Sequence, residues 1–538
     1  MTFKNLYYYK PTESKYYSEK KYYDVVIYGG TPGGITAAIQ VTKLGLKACV
    51  LEFGKKIGGM TASGLGATDL GAMEATGGLS LEFYKRIGKY YGEEIKQSFE
   101  PHVALKTFKN WLEEYDISVY YEQHLDKVEK VNGKIKSIMM EDGTVYEGKV
   151  FIDTSYEGDL LARAGVSYFV GRESNSTYKE IYNGIQFGGP HHKFETWIDP
   201  YIIEGDETSG LLPGIMDVSE EDIGFNGKGD KSIQAYNFRL CLTQDEKNKI
   251  EFPKPPTYNP NRYLLLLRYI YAGFWDAMNL HTMMPNGKTD LNNFGGFSSD
   301  NIGMNFKWPD GNYEIREKIF QDHLNYQLGM MYFLSNDTRV PKEVRQEVSS
   351  WGLPKDEFVD TGHWPHQLYI REARRMISDY VMTDHNCLGY RTISDSIGLA
   401  SYQMDSHHCR RLVLDGRVVN EGDVQIPISP YPISYRSIRP KEEECTNLLV
   451  SVCLSSSHIA FGSIRMEPVF MILGQSAGAA AYLTIKNNTN VQRINYKELK
   501  QILTEAGQVL EWDPTIEYDP IREMEKTFGK ETQIMDFD

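Results

Sequence analysis

The sequence predicts an α/β fold in which a Rossmann-like domain is interrupted by an inserted α+β domain. A buried strand, a glycine-rich turn, a helix and a second strand follow one another between residues 24 and 52, the order of a dinucleotide-binding unit. A strand that runs into a glycine loop recurs at 149–159, and an apolar helix pattern follows at 469–483. Between them the chain is rich in loops. We predict a first part at 22–170, an inserted substrate domain at 171–425, a return to the first domain at 426–485 and a helical C-terminal cover at 486–538.

Composition excludes several classes of protein. The 538 residues include 58 Lys and Arg against 73 Asp and Glu, a net charge of −15. Because nucleic acid needs a basic surface, this balance argues against such a partner. The most apolar stretches, Tyr263–Leu267 and Leu448–Leu454, are far shorter than the ~20 residues that cross a bilayer. With no signal peptide in view, we expect a cytoplasmic protein, or a secreted or periplasmic one if a signal has been removed.

The cysteines and histidines do not predict a metal site. Six cysteines occur without a CxxC pair, so neither a disulfide framework nor a zinc or iron–sulfur site is indicated. The run His407-His408-Cys409 is too compact to place three ligands on one zinc ion.

The glycine-rich turn between the first strand and the first helix predicts a phosphate site. The strand Asp24–Tyr28 runs into Gly29–Gly34, and a helical pattern follows from Ile35 to Leu44. Gly29 permits the tight turn, and Gly34 lets the helix pack closely on the strand. The free N–H groups and partial positive charge at the start of the helix then face a pyrophosphate. The predicted nucleotide-binding residues here are Gly29, Gly30, Thr31, Pro32, Gly33 and Gly34.

Two residues qualify this assignment. Thr31 stands where the second glycine of GxGxxG is expected. Gly30 beside it, which has no side chain, keeps the backbone close to the phosphate, and the Thr31 hydroxyl could itself reach a phosphate. Glu52 closes the second strand, 23 residues after Gly29. That offset is close to the ~20 residues at which a carboxylate reaches the adenosine ribose hydroxyls.

A second glycine-rich loop distinguishes FAD from NAD as the nucleotide. Gly58, Gly59 and Met60 follow Glu52, whereas in NAD enzymes the second strand leads into another helix. The loop suits a chain that runs past a flavin. Strands at 117–121 and 125–131 and turns at Asn132-Gly133 and Asp142-Gly143 follow. We add two residues to the expected FAD site: Leu125, at the start of a strand, and Asp159, at the start of a helix.

These motifs resemble a known family. The segments YDVVIYGGTPGGITAAI, LEFGKKIGGMTASGLGATD and IDTSYEGDLLARAGV are similar to those of FAD-dependent oxidoreductases of glutathione-reductase-type fold. The resemblance is strongest to a subgroup that carries YGGTP and, near the C-terminus, SIRMEPVFMILGQSAGAAA, and in that subgroup Thr is usual at the position of Thr31. It covers residues 22–170 and 360–485 well and the middle loosely, and it implies FAD and this fold rather than a substrate.

The C-terminal motif implies a second contact with the flavin. Pro468 suits the first turn of an apolar helix over Val469–Leu483, and small residues give that helix a smooth face. In the resembling flavoproteins the N-terminus of this helix points at the pyrimidine edge of the flavin, where its dipole stabilises the charge of the reduced ring. The resemblance thus implies backbone contacts from Arg465, Met466 and Glu467.

The inserted domain contains predicted helices and one arginine cluster. We expect helices over Tyr313–Leu334 and Lys342–Ser350. A helix through residues 371–375 would group Arg371, Arg374 and Arg375 on one face. The cluster fits either a salt-bridged interdomain helix or contact with the flavin or an oxygen-rich substrate.

Three function classes are compatible with these motifs. The first is a flavoenzyme that dehydrogenates a polar small molecule by hydride transfer. The second is a flavin monooxygenase or halogenase, but no second strand–GxGxxG–helix unit for NAD(P)H is found. In the third, a lyase, isomerase or binding protein, FAD has a structural or auxiliary role. The 37 Tyr and 7 Trp suit a sugar cleft, although genome base composition enriches the same residues. Relatives of the subgroup are linked with polysaccharide utilisation, so we expect a carbohydrate or sugar acid; no motif identifies the electron acceptor.

Removal of hydride from an alcohol requires a base for the hydroxyl proton, and histidine is the usual choice near neutral pH. His458 is the first candidate, because it precedes Arg465 by seven residues on the loop that leads to the flavin-facing helix. His407 is the second, because Asp405 could orient it. Each could also be a hydrogen-bonded structural histidine. Arg374 is expected to bind the substrate.

Overall fold

The computed structural model describes residues 3, 5–11, 19–278 and 283–522. The elements of the first 170 residues are, in chain order, β1 (Lys20–Tyr28), α1 (Pro32–Lys43), β2 (Ala48–Leu51), α2 (Gly78–Tyr91), α3 (Pro101–Glu114), β3 (Ser118–Tyr120), β4 (Leu125–Val131), β5 (Lys134–Met140), β6 (Val145–Asp153), α4 (Asp159–Arg163) and β7 (Tyr168–Phe169). The predicted strand–turn–helix–strand unit is confirmed.

The remaining elements alternate short strands with helices. They are α5 (Asn175–Tyr178), α6 (Glu220–Ile223), β8 (Leu240–Thr243), β9 (Lys249–Ile250), α7 (Leu264–Tyr271), β10 (Met283–Met284), β11 (Lys288–Leu291), α8 (Tyr313–Asn336), α9 (Lys342–Ser350), β12 (Leu353–Pro354), β13 (Arg375–Met376), α10 (Asp384–Cys387), β14 (Ser396–Ala400), β15 (Met404–Ser406), β16 (Arg410–Leu414), β17 (Arg417–Glu421), β18 (Val424–Ile426), β19 (Tyr431–Ser434), β20 (Leu448–Val450), α11 (His458–Ile464), α12 (Glu467–Lys486) and α13 (Tyr496–Glu505).

One seven-stranded sheet organises the nucleotide-binding half of the protein. Its order is β3-β2-β1-β6-β5-β4, and β20 pairs with the C-terminal part of β6. The strands β2, β6 and β20 are parallel to their neighbours in the centre, so several carboxyl ends meet at one edge. The residues Val25–Tyr28 are fully buried, as expected for a parallel strand covered on both faces. The chain therefore returns to its first sheet more than 290 residues after β6.

Helix α12 packs directly on α1 behind this sheet. A Cβ on Gly474 would lie 2.0 Å from the carbonyl oxygen of Gly33, and Thr36 Oγ1 donates a hydrogen bond to the carbonyl oxygen of Met471 at 2.8 Å. Among the described helices, α12 alone is long and apolar enough to span a membrane by length and composition. Of its most apolar stretch, 89% is buried inside the protein. Its apolar character is explained by this packing.

The segment from β7 to β18 holds small sheets of two or three strands together with α7, α8 and α9. The predicted helices at 313–334 and 342–350 are confirmed, the first extending to Asn336. The predicted helix through 371–375 is wrong, because residues 367–374 are irregular and Arg375 begins β13. Arg371 pairs with the buried Asp300, and Arg374 pairs with the buried Asp159 at the start of α4. Because these partners belong to separate parts of the chain, they hold the segment in an extended form. The expected helical C-terminal cover includes α13, and residues 523–538 lie outside the described part of the chain.

Candidate active site

The turn after β1 leaves no space for side chains. Gly29 has a φ of +114°, which favours glycine. Its N–H donates to the carbonyl oxygen of Leu51 at 2.8 Å, and its own carbonyl oxygen accepts from Thr154 Oγ1 at 2.6 Å. A Cβ on Gly34 would lie 2.0 Å from that same oxygen. The start of α1 is therefore fixed against the carboxyl ends of β1 and β6.

Thr31 caps the first helix. Its Oγ1 accepts from the N–H of Gly34 at 3.4 Å and donates to the carbonyl oxygen of Thr154 at 2.8 Å. The proton of this hydroxyl is therefore used inside the protein. Because Pro32 occupies the first turn, the helix begins abruptly at the glycine turn, where its dipole favours an anion.

Glu52 lies beside the same turn. Its Oε2 accepts from the N–H of Gly30 at 2.7 Å, and its Oε1 accepts from the N–H of Gly54 at 2.7 Å. Burial raises the pKa of this carboxyl to about 7, against the lowering effect of the two backbone N–H groups. The position agrees with the ribose contact that the sequence predicts, which stays a prediction.

A cavity of about 210 Å³ follows these residues; we call it the nucleotide cavity. It is lined by the glycine turn, the end of β2 with the loop that follows it, the loop after β6, and residues from 5–8, 122–124 and 360–367. The lining residues include Gly29, Thr31, Glu52, Phe53, Gly59, His124, Ser155, Tyr156, Glu157, His366 and Tyr8. Both ring nitrogens of His366 are buried without a hydrogen-bond partner in the described part of the chain. The anion-favouring helix start, the carboxylate and this open donor–acceptor ring fit the phosphates and adenosine of FAD.

The second glycine loop runs from the nucleotide cavity toward α12. The N–H of Gly58 donates to the carbonyl oxygen of Gly30 at 2.7 Å, and the N–H of Met60 donates to Tyr156 Oη at 3.0 Å. That hydroxyl in turn donates to Glu467 Oε1 at 2.6 Å. Burial raises the pKa of Glu467 to about 7. The structure thus brings Met60 and Glu467, both predicted at the cofactor, to the two sides of one tyrosine.

The same loop ends in a second cavity of about 370 Å³, which we call the polar cavity. Residues 67–71 of the loop line it together with Arg465, which is the C-terminal cap of α11, two residues before α12 begins. Most of its other lining side chains are polar, among them His192, Arg239, Asp290, Asn292, Asn293, Tyr369, Gln403, Asp405, His407, Asp423 and Gln425. Because it continues the path of the loop past α12, this cavity is the candidate substrate site.

His407 is held between two carboxylates in the wall of the polar cavity. Its Nδ1 lies 2.9 Å from Asp300 Oδ2, and its Nε2 lies 3.5 Å from Asp405 Oδ2. Asp300 also pairs with Arg371 at 2.8 Å, and Asp405 pairs with Arg465 at 2.9 Å. Burial would raise the pKa of each carboxyl, but the neighbouring cations outweigh it and hold both pKa values at about 2. Both aspartates are therefore ionised around the imidazole.

His458 occupies a different position. It is 2% exposed and does not line the polar cavity. Its Nδ1 lies 2.8 Å from Glu372 Oε2, and its Nε2 lies 3.0 Å from Ser406 Oγ. Helix α11 packs on β15, so the ring supports the strand that leads to His407. The structure does not bring the first candidate base to the cavity.

Arg374 and Asp159 form one buried ion-pair cluster. Asp159 accepts from Arg374 Nη1 at 2.8 Å and from Arg316 Nη1 at 2.7 Å, and Arg374 also pairs with Asp310 at 3.0 Å. Burial is outweighed by these arginines, so the pKa of Asp159 is lowered. Neither Arg374 nor Asp159 lines the nucleotide cavity or the polar cavity. This agrees with the salt-bridge alternative for Arg374 and not with the predicted substrate contact.

The other predicted cofactor residues lie close to the two cavities. Leu125 is buried, and its carbonyl oxygen accepts from Tyr313 Oη at 2.8 Å; the preceding His124 lines the nucleotide cavity. Met466 is the N-terminal cap of α12 and is 2% exposed. Gly33 packs against the backbone of Phe470 on α12.

Several residues that line the polar cavity, and Asp300 that contacts its His407, carried no sequence signal. Asp300 lies in a loop 107 residues before His407, and no local pattern marks it. Asp69 ends a glycine-rich stretch, and Tyr518 and Pro520 come from the C-terminal segment. Gln403 could have been found, because it directly precedes the Met404–His408 motif.

A group of possible metal ligands in the described part of the chain is already occupied by a side chain. Glu100, His102 and Glu357 bring ligand atoms within 4.8 Å of one another. Lys288 Nζ lies 2.7 Å from Glu100 Oε1 and 2.8 Å from Glu357 Oε1. The cation of this group is therefore a lysine.

Comparison with known proteins decides the family. A family model described as FAD dependent oxidoreductase matches residues 24–503. The chain belongs to this family. FAD is thus the cofactor of this oxidoreductase. A search of curated proteins finds no match.

Solved structures of redox enzymes match about 30% of this chain, with low TM-scores. L-proline dehydrogenase from P. horikoshii is 17% identical over 29% of this chain and 59% of its own, with a TM-score of 0.24. Thioredoxin reductase from T. acidophilum is 20% identical over 29% and 40%, with a TM-score of 0.18. A flavin-containing monooxygenase from Stenotrophomonas maltophilia is 15% identical over 31% and 45%, with a TM-score of 0.20. In each case the chain spans less than two thirds of the matched protein.

Proposed function

We propose that this flavoprotein oxidises a hydroxyl-bearing carbon of a neutral carbohydrate to a carbonyl. The observation that carries the proposal is His407, which is held between Asp300 and Asp405 in the wall of a polar cavity. A single loop connects that cavity with the nucleotide cavity. A base beside hydroxyl-binding groups is the arrangement that alcohol oxidation requires.

The residues divide the chemistry between them. FAD, when bound, supplies the acceptor for the hydride that leaves the substrate carbon. In its neutral form His407 takes the hydroxyl proton at Nε2, and the two electrons of the O–H bond form the carbonyl π bond as the C–H bond breaks. Asp300, on Nδ1, orients the ring and stabilises its protonated form. The N-terminus of α12 would offer a positive partial charge to the negative charge of a reduced flavin bound beside it.

The charges of the polar cavity favour a neutral substrate over a sugar acid. Arg239 pairs with Asp290 at 2.6 Å and lies 3.7 Å from Asp69. Arg465 pairs with Asp405 at 2.9 Å. Because each cavity arginine is already matched by a buried aspartate, an incoming carboxylate would meet at least as much negative as positive charge.

Amide groups in the wall suit hydroxyls. Neither polar atom of the Gln403 side chain, nor Oε1 of Gln425, has a hydrogen-bond partner among the described residues, although both side chains are buried. Burial and the nearby Asp405 raise the pKa of Asp423, so this carboxyl can donate a proton. A buried amide without partners is costly, and a sugar hydroxyl satisfies it because it both donates and accepts.

Anaerobic mixing with paired substrates tests the proposal. Each neutral hexose or methyl glycoside is compared with its uronic acid, and loss of the flavin absorbance is followed. We expect neutral sugars to bleach the flavin and their acids to do so more slowly. Bleaching by NAD(P)H alone would favour a monooxygenase instead, and bleaching by uronic acids only would contradict the charge argument. The variant Gln403→Leu should raise the half-saturating sugar concentration while the FAD content stays unchanged.

A further inference from the structure

The N-terminal arm, residues 5–10, forms part of the wall of the nucleotide cavity. Asn5, Leu6, Tyr7 and Tyr8 all line that cavity. The arm precedes residue 24, where the family match begins. Its position beside Glu52 places it on the side of the cavity expected to hold adenosine.

Helix α8 holds the arm in place. The N–H groups of Tyr8 and Tyr9 both donate to Glu317 Oε2, at 2.7 and 2.9 Å. Gln321 Nε2 donates to the carbonyl oxygen of Leu6 at 3.0 Å, and Leu6 is 3% exposed. Two side chains one turn apart on α8 therefore satisfy three backbone groups of the arm, which fixes a segment that otherwise forms no helix or strand.

Tyr8 spans the cavity wall. Its ring stacks on Phe53, with centroids 4.5 Å apart and an interplanar angle of 26°. It also makes a T-shaped contact with Trp308, with ring centroids 4.7 Å apart. Its hydroxyl donates to Glu157 Oε1 at 3.2 Å and accepts from Arg316 Nη1 at 3.3 Å. Because Phe53 follows the predicted ribose ligand and Glu157 follows β6, Tyr8 joins the two sides of the nucleotide cavity.

We propose that this arm retains FAD by closing the adenosine side of its site. Phe53 and Tyr8 present aromatic surface next to Glu52, and aromatic side chains stack favourably on nucleobases. The arm must leave α8 before the dinucleotide can pass outward, so the contacts with Glu317 slow the release of FAD. The proposal depends on FAD as cofactor and is independent of the substrate.

The rate of FAD release from the holoenzyme tests this role. Release is followed as the rise in flavin fluorescence after dilution. Glu317→Ala removes the anchor without changing a cavity residue, and Tyr8→Ala removes the aromatic wall. We expect each to release FAD at least tenfold faster. Tyr22→Ala, at an exposed tyrosine of β1 outside the cavity, should stay within twofold of wild type.

Two results would overturn the proposal. One is an unchanged release rate in both variants while limited proteolysis shows faster cleavage of the arm. The other is slower release, which would mean that the arm competes with FAD instead of retaining it. If Tyr8→Ala fails to fold, Tyr8→Phe replaces it, because this variant keeps the ring and loses the hydrogen bonds to Glu157 and Arg316. It should release FAD at a rate between those of wild type and Glu317→Ala. A wild-type release rate in both Tyr8→Phe and Glu317→Ala would contradict the proposal.

Discussion

Gly34 packs directly against the carbonyl oxygen of Gly29. A Cβ on Gly34 would lie 2.0 Å from that oxygen and 2.7 Å from Thr154 Oγ1. The nearest obstacle is backbone of the turn itself, so no rotamer change can relieve the clash. The position of the phosphate-facing end of α1 relative to β1 therefore depends on the absence of a side chain at residue 34.

We expect Gly34→Val to abolish FAD binding, because the branched side chain would displace α1 from the glycine turn. Purified variant protein should be colourless and should not take up added FAD in a fluorescence titration. Gly45→Asn, at the far end of the same helix, is the control: a Cβ there meets nothing within 4 Å, and Asn tolerates the left-handed conformation. A yellow Gly34→Val protein would contradict the geometry.

Glu52→Ala should weaken FAD binding about 10- to 100-fold, since loss of hydrogen bonds to a charged group costs about 1.5–3 kcal/mol. Its carboxylate also holds the N–H groups of Gly30 and Gly54, so part of the loss will come from a looser turn. Glu52→Gln retains one acceptor oxygen and should lose less. Dissociation constants from fluorescence titration measure both, and wild-type affinity in Glu52→Ala would place the ribose contact elsewhere.

The nucleotide-binding unit could be predicted from sequence because its determinants are local. The apolar run Asp24–Tyr28, the turn at Gly29 and the stop at Gly45 lie within 22 residues, and strand and helix periods differ clearly there. Thr31 at the expected glycine position did not disturb the turn, because its hydroxyl caps the helix that it starts.

The polar cavity could not be predicted in the same way, because distant contacts decide it. Asp300 meets His407 only through the packing of separate loops. The spacing of Arg371 and Arg374 fits a helix, yet Asp300 and Asp159 hold them in an extended segment. Closeness in sequence to Arg465 suggested His458, whereas α11 turns that ring toward Glu372.

Arg374→Leu should lower stability without a specific effect on catalysis. It leaves the buried Asp159 with Arg316 as its close partner, and loss of one member of a buried pair costs about 3 kcal/mol. Arg163→Leu is the control, because Arg163 lies 3.5 Å from the same carboxylate but is partly exposed, where ion pairs contribute at most about 1 kcal/mol. Denaturant unfolding measures both. If Arg374→Leu instead raises the half-saturating substrate concentration and leaves the free energy of unfolding unchanged, Arg374 binds the substrate as the sequence predicted.

Glu180 should make the folded protein less stable as the pH rises. Burial raises the pKa of this carboxyl from 4.5 to about 7, even though Ser457 and the N–H of Asp384 donate to it. The folded state therefore binds its proton more tightly than the unfolded chain, and stability falls between about pH 4.5 and 7, by about 3 kcal/mol in total.

Glu180→Gln cannot ionise, so the difference in unfolding free energy between pH 5 and pH 8 should be smaller than in wild type. Chemical denaturation of the holoenzyme at both pH values measures this, and the other buried carboxyls cancel in the comparison. An equal pH dependence in both proteins would show that Glu180 ionises normally.

His407→Ala should slow flavin reduction by the substrate about 10²- to 10⁴-fold, the range for loss of a general base. FAD content should stay at the wild-type level, because His407 lies in the polar cavity and not in the nucleotide cavity. Stopped-flow reduction at saturating substrate isolates this step from reoxidation. Asp300→Asn should lower the same limiting rate by a smaller factor and leave the half-saturating substrate concentration unchanged, since Asp300 touches the imidazole and not the cavity.

His458→Ala provides the decisive contrast. Both ring nitrogens of His458 are used by Glu372 and Ser406, so its loss leaves a buried carboxylate with one partner fewer and should lower the unfolding temperature. The rate of flavin reduction, measured per bound FAD, should stay within a few-fold of the wild-type rate. The opposite result would be slow flavin reduction in His458→Ala and a wild-type rate in His407→Ala across pH 5–9. It would mean that His458, on α11, accepts the substrate proton and that His407 has only a structural role with its two aspartates.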